Sequence, residues 1–117
     1  MKLPNAEKAF IDIRKLRDYC LNTIHERGKH KARLFSSVLG LTSDDAEEIA
    51  AEFLKAALTR EANPRGEDDY GKRYALDVEI ITKKGQAEVR TIWIMRNHED
   101  FARLTSCYIL KRKEPGK

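Results

Sequence analysis

Between His25 and Arg33 the chain gathers an unusual set of polar side chains: His25, Glu26, Arg27, Lys29, His30, Lys31 and Arg33, with Gly28 among them. Imidazole exchanges protons near neutrality. Lysine and arginine supply the positive charge that steadies a phosphate or the transition state formed from it. Proton transfer beside a phosphate is therefore the chemistry these types suit. On a helical wheel started at Lys29, the residues Lys29, Arg33 and Ser36 fall opposite Phe35, Val38 and Leu39. Lys31 falls instead within the arc of Ala32, Leu34, Phe35 and Val38. Such a lysine either snorkels to bulk water or is held in a cleft as a phosphate-binding cation. His25 sits in the connecting loop, placed as a general acid or base. His30, at the edge of the apolar arc, reads as a packing or surface residue, and which of the two histidines is functional stays open.

A second group lies in the last third. Strand alternation puts Thr91 with Trp93 on one face, and Arg103, Thr105 and Cys107 together on one face of the next strand. Hydroxyls and an arginine on the open face of a sheet suit phosphate binding, although threonine is also an ordinary strand residue. Trp93 reads as core, and His98 as turn surface. Three histidines without metal-ligand spacing predict no metal site, and no phosphate-loop, dinucleotide or nucleophile-elbow motif occurs in the sequence.

The elements that must position these groups change character midway. Asp12 is a helix N-cap ahead of the stripe Ile13, Leu16 and Cys20. A second helix follows Gly28 and ends at Gly40. Thr42, with Asp45 three residues on, opens a third helix whose wide apolar face runs from Ala46 to Leu58. The span 61–71 reads as a loop. After it the period drops to two, and Tyr74, Leu76, Val78 and Ile80 mark a half-buried strand. Strands over Glu88–Arg96 and Leu104–Leu110 complete a meander. The expectation is an α+β fold: about three N-terminal helices packed on an antiparallel β-meander of three to four strands. Its parts are an edge strand within 1–11, a helical half at 12–60, the loop, the meander at 72–110 and a frayed basic tail at 111–117.

With 117 residues, 41% hydrophobic and 36% charged, the chain has the size and balance of one small domain, 1–117. No apolar run approaches the ~18 residues a membrane helix needs, and residues 1–8 lack the apolar core of a signal peptide. Cys20 and Cys107, far apart, fit a reduced cytoplasmic interior and read as small apolar residues. The net charge of +4 conceals a division. Residues 1–40 hold nine Lys or Arg against four acids, 41–71 three against nine, and 72–117 eleven against six. Two basic segments flank an acidic middle; they either scatter over solvated faces or meet as one positive cleft.

The strings Lys15 to Asn22, His25, Gly28-Lys29-His30-Lys31-Ala32-Arg33-Leu34-Phe35 and Leu39-Gly40-Leu41 follow a recognisable pattern. So do Tyr70-Gly71-Lys72-Arg73-Tyr74, Val89 to Ile94, and Arg103-Leu104-Thr105-Ser106-Cys107-Tyr108. Together, over about Leu3 to Leu110, they resemble a family of small bacterial domains of unknown function, found beside a small partner or at the end of polymorphic toxins. The helices-then-meander order is similar to that of the barnase–EndoU–colicin–RelE group of metal-independent ribonucleases. That resemblance implies cleavage of RNA, tRNA included, through a cyclic phosphate without a cofactor. It implies catalytic roles for His25, Lys31 and Thr105, and RNA contacts from Lys29, Arg33, Thr91, Arg103 and Tyr108. It also implies a small antitoxin or immunity partner. Where the family commonly reads Asn-Pro-x-His-Pro, this chain has Asn22-Thr23-Ile24-His25-Glu26. A non-catalytic RNA-binding or protein-interaction domain on the same fold is the alternative.

Overall fold

The computed structural model describes residues 1–21 and 29–113; for Tyr19, Cys20, 29–31 and 111–113 it describes the backbone alone. The first helix, α1, begins at the expected cap, where Asp12 Oδ1 accepts from the Arg14 amide at 3.0 Å. It runs as an α-turn over Ile13–Lys15 and widens into a π-turn over Leu16–Cys20, closed by the Leu21 amide on the Leu16 carbonyl. The second helix, α2, repeats this: Lys29–Leu34, then a wide turn over Phe35–Leu39, ending on Gly40 at a left-handed φ of 69°. Among its described side chains Ala32, Phe35 and Leu39 are buried, whereas Leu34, expected in the apolar arc, is 48% exposed. The packed face of α2 is thus narrower than its apolar composition suggests.

Thr42 and Asp45 form a reciprocal capping box. The Asp45 carboxylate accepts from the Thr42 amide at 2.9 Å, and the helix α3 follows over Ala46–Thr59. Its buried face is Ala46, Ile49, Ala50, Phe53, Ala56 and Ala57, the i, i+3, i+4 spacing of a helix lying on a core. Small residues at four of these six positions let α3 approach the sheet closely.

Four antiparallel strands in the order β1-β2-β3-β4 form the sheet: β1 Asn63–Asp68, β2 Gly71–Ile81, β3 Gln86–Arg96 and β4 Arg103–Lys113. β1 occupies the span expected to be a loop. Every one of its residues is exposed, so it carries no alternation to read, and its pairing slips between Pro64 and Glu67. Proline is tolerated there because an edge strand need not donate outward. β4 continues to Lys113 through residues expected to fray. The opening residues make isolated bridges, Lys2 to Glu61 and Phe10 to Arg103, in place of the expected edge strand.

One face of the sheet meets the helices. Tyr74, Leu76 and Val78 share it with Val89, Thr91 and Trp93, and all are buried. The β2–β3 turn is pinned to the end of α2. There Thr82 Oγ1 donates to the Leu39 carbonyl at 2.7 Å and Lys84 Nζ donates to the Ser36 carbonyl at 3.1 Å. A cation at that position complements the negative end of the helix.

Candidate functional site

Two extra residues in β4 decide which side chains share a face. The β3–β4 register runs Thr91 to Cys107 and Ile92 to Ser106, then shifts so that Trp93 meets Leu104 and Ile94 meets Arg103. Thr105 is the extra residue, and Leu110 is a second one between Ile109 and Lys111. A bulge re-aims everything beyond it. Arg103 therefore faces away from the helices while Cys107 is buried against them, so the expected common face of Arg103, Thr105 and Cys107 is divided. The strand alternation misses this because it assumes an unbroken period of two.

Thr91, expected among the RNA contacts, is fully buried. Its hydroxyl donates to the Leu76 carbonyl at 2.6 Å and accepts from Trp93 Nε1 at 2.8 Å. Both polar groups of the pair are satisfied inside the core, so Thr91 serves the fold. Tyr108 lies opposite Arg90 on the face away from the helices. Arg90 pairs there with Asp77 through Nε at 2.8 Å and Nη2 at 3.0 Å, and the carboxylate raises the guanidinium's proton affinity further.

Arg103 and Thr105 come together at the outer edge of β4. They line a cleft of about 90 Å³ with Phe10, Asp12, Lys15, Ile94, Arg96 and Leu104. The cleft exists because residue 10 bridges to β4: the Phe10 amide donates to the Ala102 carbonyl and the Leu104 amide donates to the Phe10 carbonyl. This brings the start of α1 against the ends of β3 and β4. Arg103 is fixed on three sides. Its guanidinium makes a two-pronged pair with Glu99, at 3.0 Å from Nε and 2.6 Å from Nη2. It also lies 5.2 Å from the Phe10 ring centroid and 5.0 Å from that of Phe101. The guanidinium holds the Glu99 carboxyl below the usual carboxylate range, and Glu99 in turn raises Arg103. Thr105, on the wall of the cleft, has its Oγ1 proton donated to the Ile92 carbonyl at 3.1 Å.

Lys15 and Arg96, both exposed, were not among the sequence candidates. The signal for Arg96 was present: it stands two residues beyond Ile94, on the face Arg103 occupies. Lys15 needed the Phe10 bridge to be brought in. Three cations from α1, β3 and β4 thus surround one small recess with one carboxylate, Asp12, on its wall. The volume suits a single phosphate group; drug-sized ligands fill several hundred Å³.

Of the remaining candidates, His25 lies outside the described residues, as do the side chains of Lys29, His30 and Lys31. The backbone of α2 packs against β4 and against the wide turn of α1. Arg33 is exposed on α2. No group of three or more potential metal ligands occurs among the described residues, and no helix among them is long and apolar enough to cross a membrane.

No curated protein and no solved structure matches the chain. A family model does, over residues 2–111: Domain of unknown function (DUF6883). Spanning nearly the whole of α1–α3 and β1–β4, that match makes the chain a member of the DUF6883 family.

Proposed function

We propose that this domain acts on RNA, gripping the phosphate backbone along the outer edge of β4 and cleaving it without a metal ion. The observation that carries the reading is the convergence of Lys15, Arg96 and Arg103, from three separate segments, on one phosphate-sized recess beside Thr105. Lysine and arginine at such a recess neutralise backbone phosphates and release counterions. The packing of α2 on β4 brings the basic element that carries Lys29, Lys31 and Arg33 to the same strand.

In this reaction the RNA's own 2′-oxygen attacks the adjacent phosphorus and the bond to the 5′-oxygen breaks, leaving a 2′,3′-cyclic phosphate. His25 takes the 2′ proton, and solvent protonates the departing 5′-oxygen. Lys31 and Arg103 face the charge that develops on the phosphorane oxygens. A small antitoxin or immunity partner controls the activity. A second reading, binding without cleavage, is favoured by one observation. The Arg103 guanidinium is committed to Glu99 and the Thr105 proton to Ile92, so both act as fixed contacts rather than proton carriers.

The deciding experiment incubates the purified protein with single-stranded RNA in excess EDTA. Wild type is compared with His25→Ala and Lys31→Ala, and RNA binding by wild type and Arg96→Ala is measured in parallel. Cyclic-phosphate ends formed by wild type and lost in both catalytic variants are expected. Cleavage surviving both substitutions would overturn the catalytic assignment. Binding that weakens in Arg96→Ala with no cleavage selects the second reading, and absence of both removes RNA as the substrate.

A further inference from the structure

The turn between β1 and β2 stands at the same end of the sheet as the β4 recess. β2 begins at Gly71, whose partner on β3 is Arg96, one of the three recess cations. One residue earlier is Tyr70, 72% exposed. That exposure does not come from a loose turn. Asp68 Oδ1 accepts from the Tyr70 amide at 2.9 Å and from the Gly71 amide at 3.3 Å. The Tyr70 carbonyl accepts from the Asn97 amide at 3.1 Å, and Asn97 Nδ2 donates to the Asp69 carbonyl at 2.8 Å. Asp68 is itself held through its other oxygen by Arg73 Nε at 2.9 Å. Gly71, at a φ of 149°, completes the turn. A Cβ there would collide with the Met95 carbonyl oxygen, so only glycine lets the chain lie this close to β3.

The backbone of residue 70 is thus fixed from both sides while its ring is left to water. An aromatic ring held this way presents a large flat contact and loses little freedom when something covers it. Phe10, another exposed ring at this end, already has the Arg103 guanidinium over it. The charges around Tyr70 say which part of a nucleic acid the turn accepts. Over residues 65–73, Arg65, Lys72 and Arg73 are balanced by Glu67, Asp68 and Asp69. The recess, with three cations and one acid, is the place for a phosphate. The turn offers a ring without net charge, which suits a base. Two strand spacings, about 10 Å, separate β2 from β4. A strand with a phosphate in the recess therefore has a nearby base within reach of Tyr70.

We propose that Tyr70 is a stacking platform for a nucleobase of single-stranded RNA whose backbone phosphate occupies the β4 recess. The inference rests on the reading of this domain as one that acts on RNA, and adds the substrate class. Bases inside a duplex are covered by their neighbours, so only an unpaired base can lie on the ring.

The test uses oligouridine strands, 2′-O-methylated to block cleavage, each carrying one 2-aminopurine at a different position. Stacking on the ring is read as quenching of 2-aminopurine fluorescence, and affinity as anisotropy at several salt concentrations. Wild type is expected to quench strands at a defined position, and to bind the same strands more weakly once they are paired with a complement. Tyr70→Ala should lose the quenching and bind about tenfold more weakly or worse, with an unchanged salt slope. Tyr70→Phe should keep both signals, because the ring and not the hydroxyl makes the contact. Arg96→Ala should lower the salt slope and retain the quenching of whatever strand remains bound. If Tyr70→Ala binds and quenches like wild type while Arg96→Ala weakens binding, the stacking proposal fails and the phosphate recess stands. A Phe variant as weak as the Ala variant, or a salt slope that falls in Tyr70→Ala, would also overturn it. Wild type that binds no strand overturns this proposal together with the RNA reading.

Discussion

The two edges of this sheet share one antiparallel ladder and carry opposite chemistry. At the β4 edge, Lys15, Arg96 and Arg103 surround a recess of about 90 Å³. At the β2 edge, Glu48, Glu52 and Glu79 line a larger groove of about 300 Å³. The difference arises from what closes each edge. The Phe10 bridge at β4 folds the start of α1 over the strand and makes a compact polar recess. At β2, the early end of β1 leaves a strand edge beside α3, whose first turn is acidic. The acidic middle of the chain is therefore kept from the basic edge by the width of the sheet. A net charge of +4 for the chain hides a basic recess at one edge and acids at the other.

The comparison breaks most visibly if RNA chemistry is not confined to the β4 side. Removing a general base or a phosphate-facing cation costs a factor of about 10² to 10⁴ in rate. His25→Ala and Lys31→Ala should each lower RNA cleavage by that order, while Glu48→Lys/Glu52→Lys leaves the rate within about twofold of wild type. Equal losses in all three variants would mean that the two edges do not act separately.

Between the edges runs the strand that holds them at a fixed distance, and its interior gives the next largest effect. Thr91→Val keeps the shape but strips Trp93 Nε1 of its acceptor. An unsatisfied buried donor costs about 1–3 kcal/mol. Urea unfolding should show that loss, with RNA affinity of the folded protein unchanged. Reduced affinity at unchanged stability would return Thr91 to the binding surface.

Much of this scaffold was legible because its signals are local. The Asp12 cap, the Gly40 terminus and the Thr42–Asp45 box each depend on residues within one turn. The helices-then-strands order followed from the change of period near residue 72. The site was legible only in part. Arg103 and Thr105 stood out by type, but which face each occupies depends on two bulges that leave no mark in an alternating pattern. Alternation tells that Thr91 and Trp93 share a face but not that this face is the covered one, where the Thr91 hydroxyl is buried. Lys15 and Arg96 escaped notice because the Phe10 bridge that brings α1 to β4 joins residues 93 positions apart.

Salt dependence sharpens the description of the β4 recess. Each phosphate contact contributes roughly 0.7 to the slope of log affinity against log salt for a single strand. Lys15→Ala and Arg96→Ala should each lower that slope by about 0.7, and the double variant by about twice as much. The charge reversals on α3 should leave it unchanged. A slope insensitive to both recess lysine and arginine would place the phosphates elsewhere.

The smallest effect concerns Glu99, and its sign can be worked out. Arg103 holds the folded-state pKa of Glu99 below its unfolded value. The pair therefore contributes its full stability above the ordinary glutamate range, near pH 4.3, and loses it as the pH falls through the depressed value. Asp68 beside Arg73 and Asp100 beside Lys8 are lowered in the same direction. Glu99→Gln should consequently lessen only part of the acid-side loss of stability, and leave the neutral-pH fold intact. The same variant removes a negative charge from Arg103 while keeping an amide oxygen for it to donate to. If Arg103 meets a phosphate, RNA binding at low salt should tighten modestly in Glu99→Gln and the salt slope should steepen. If the affinity stays level while the acid limb shifts, Arg103 serves the edge as a clamp between Phe10 and Phe101. Lys15 and Arg96 would then carry the recess alone.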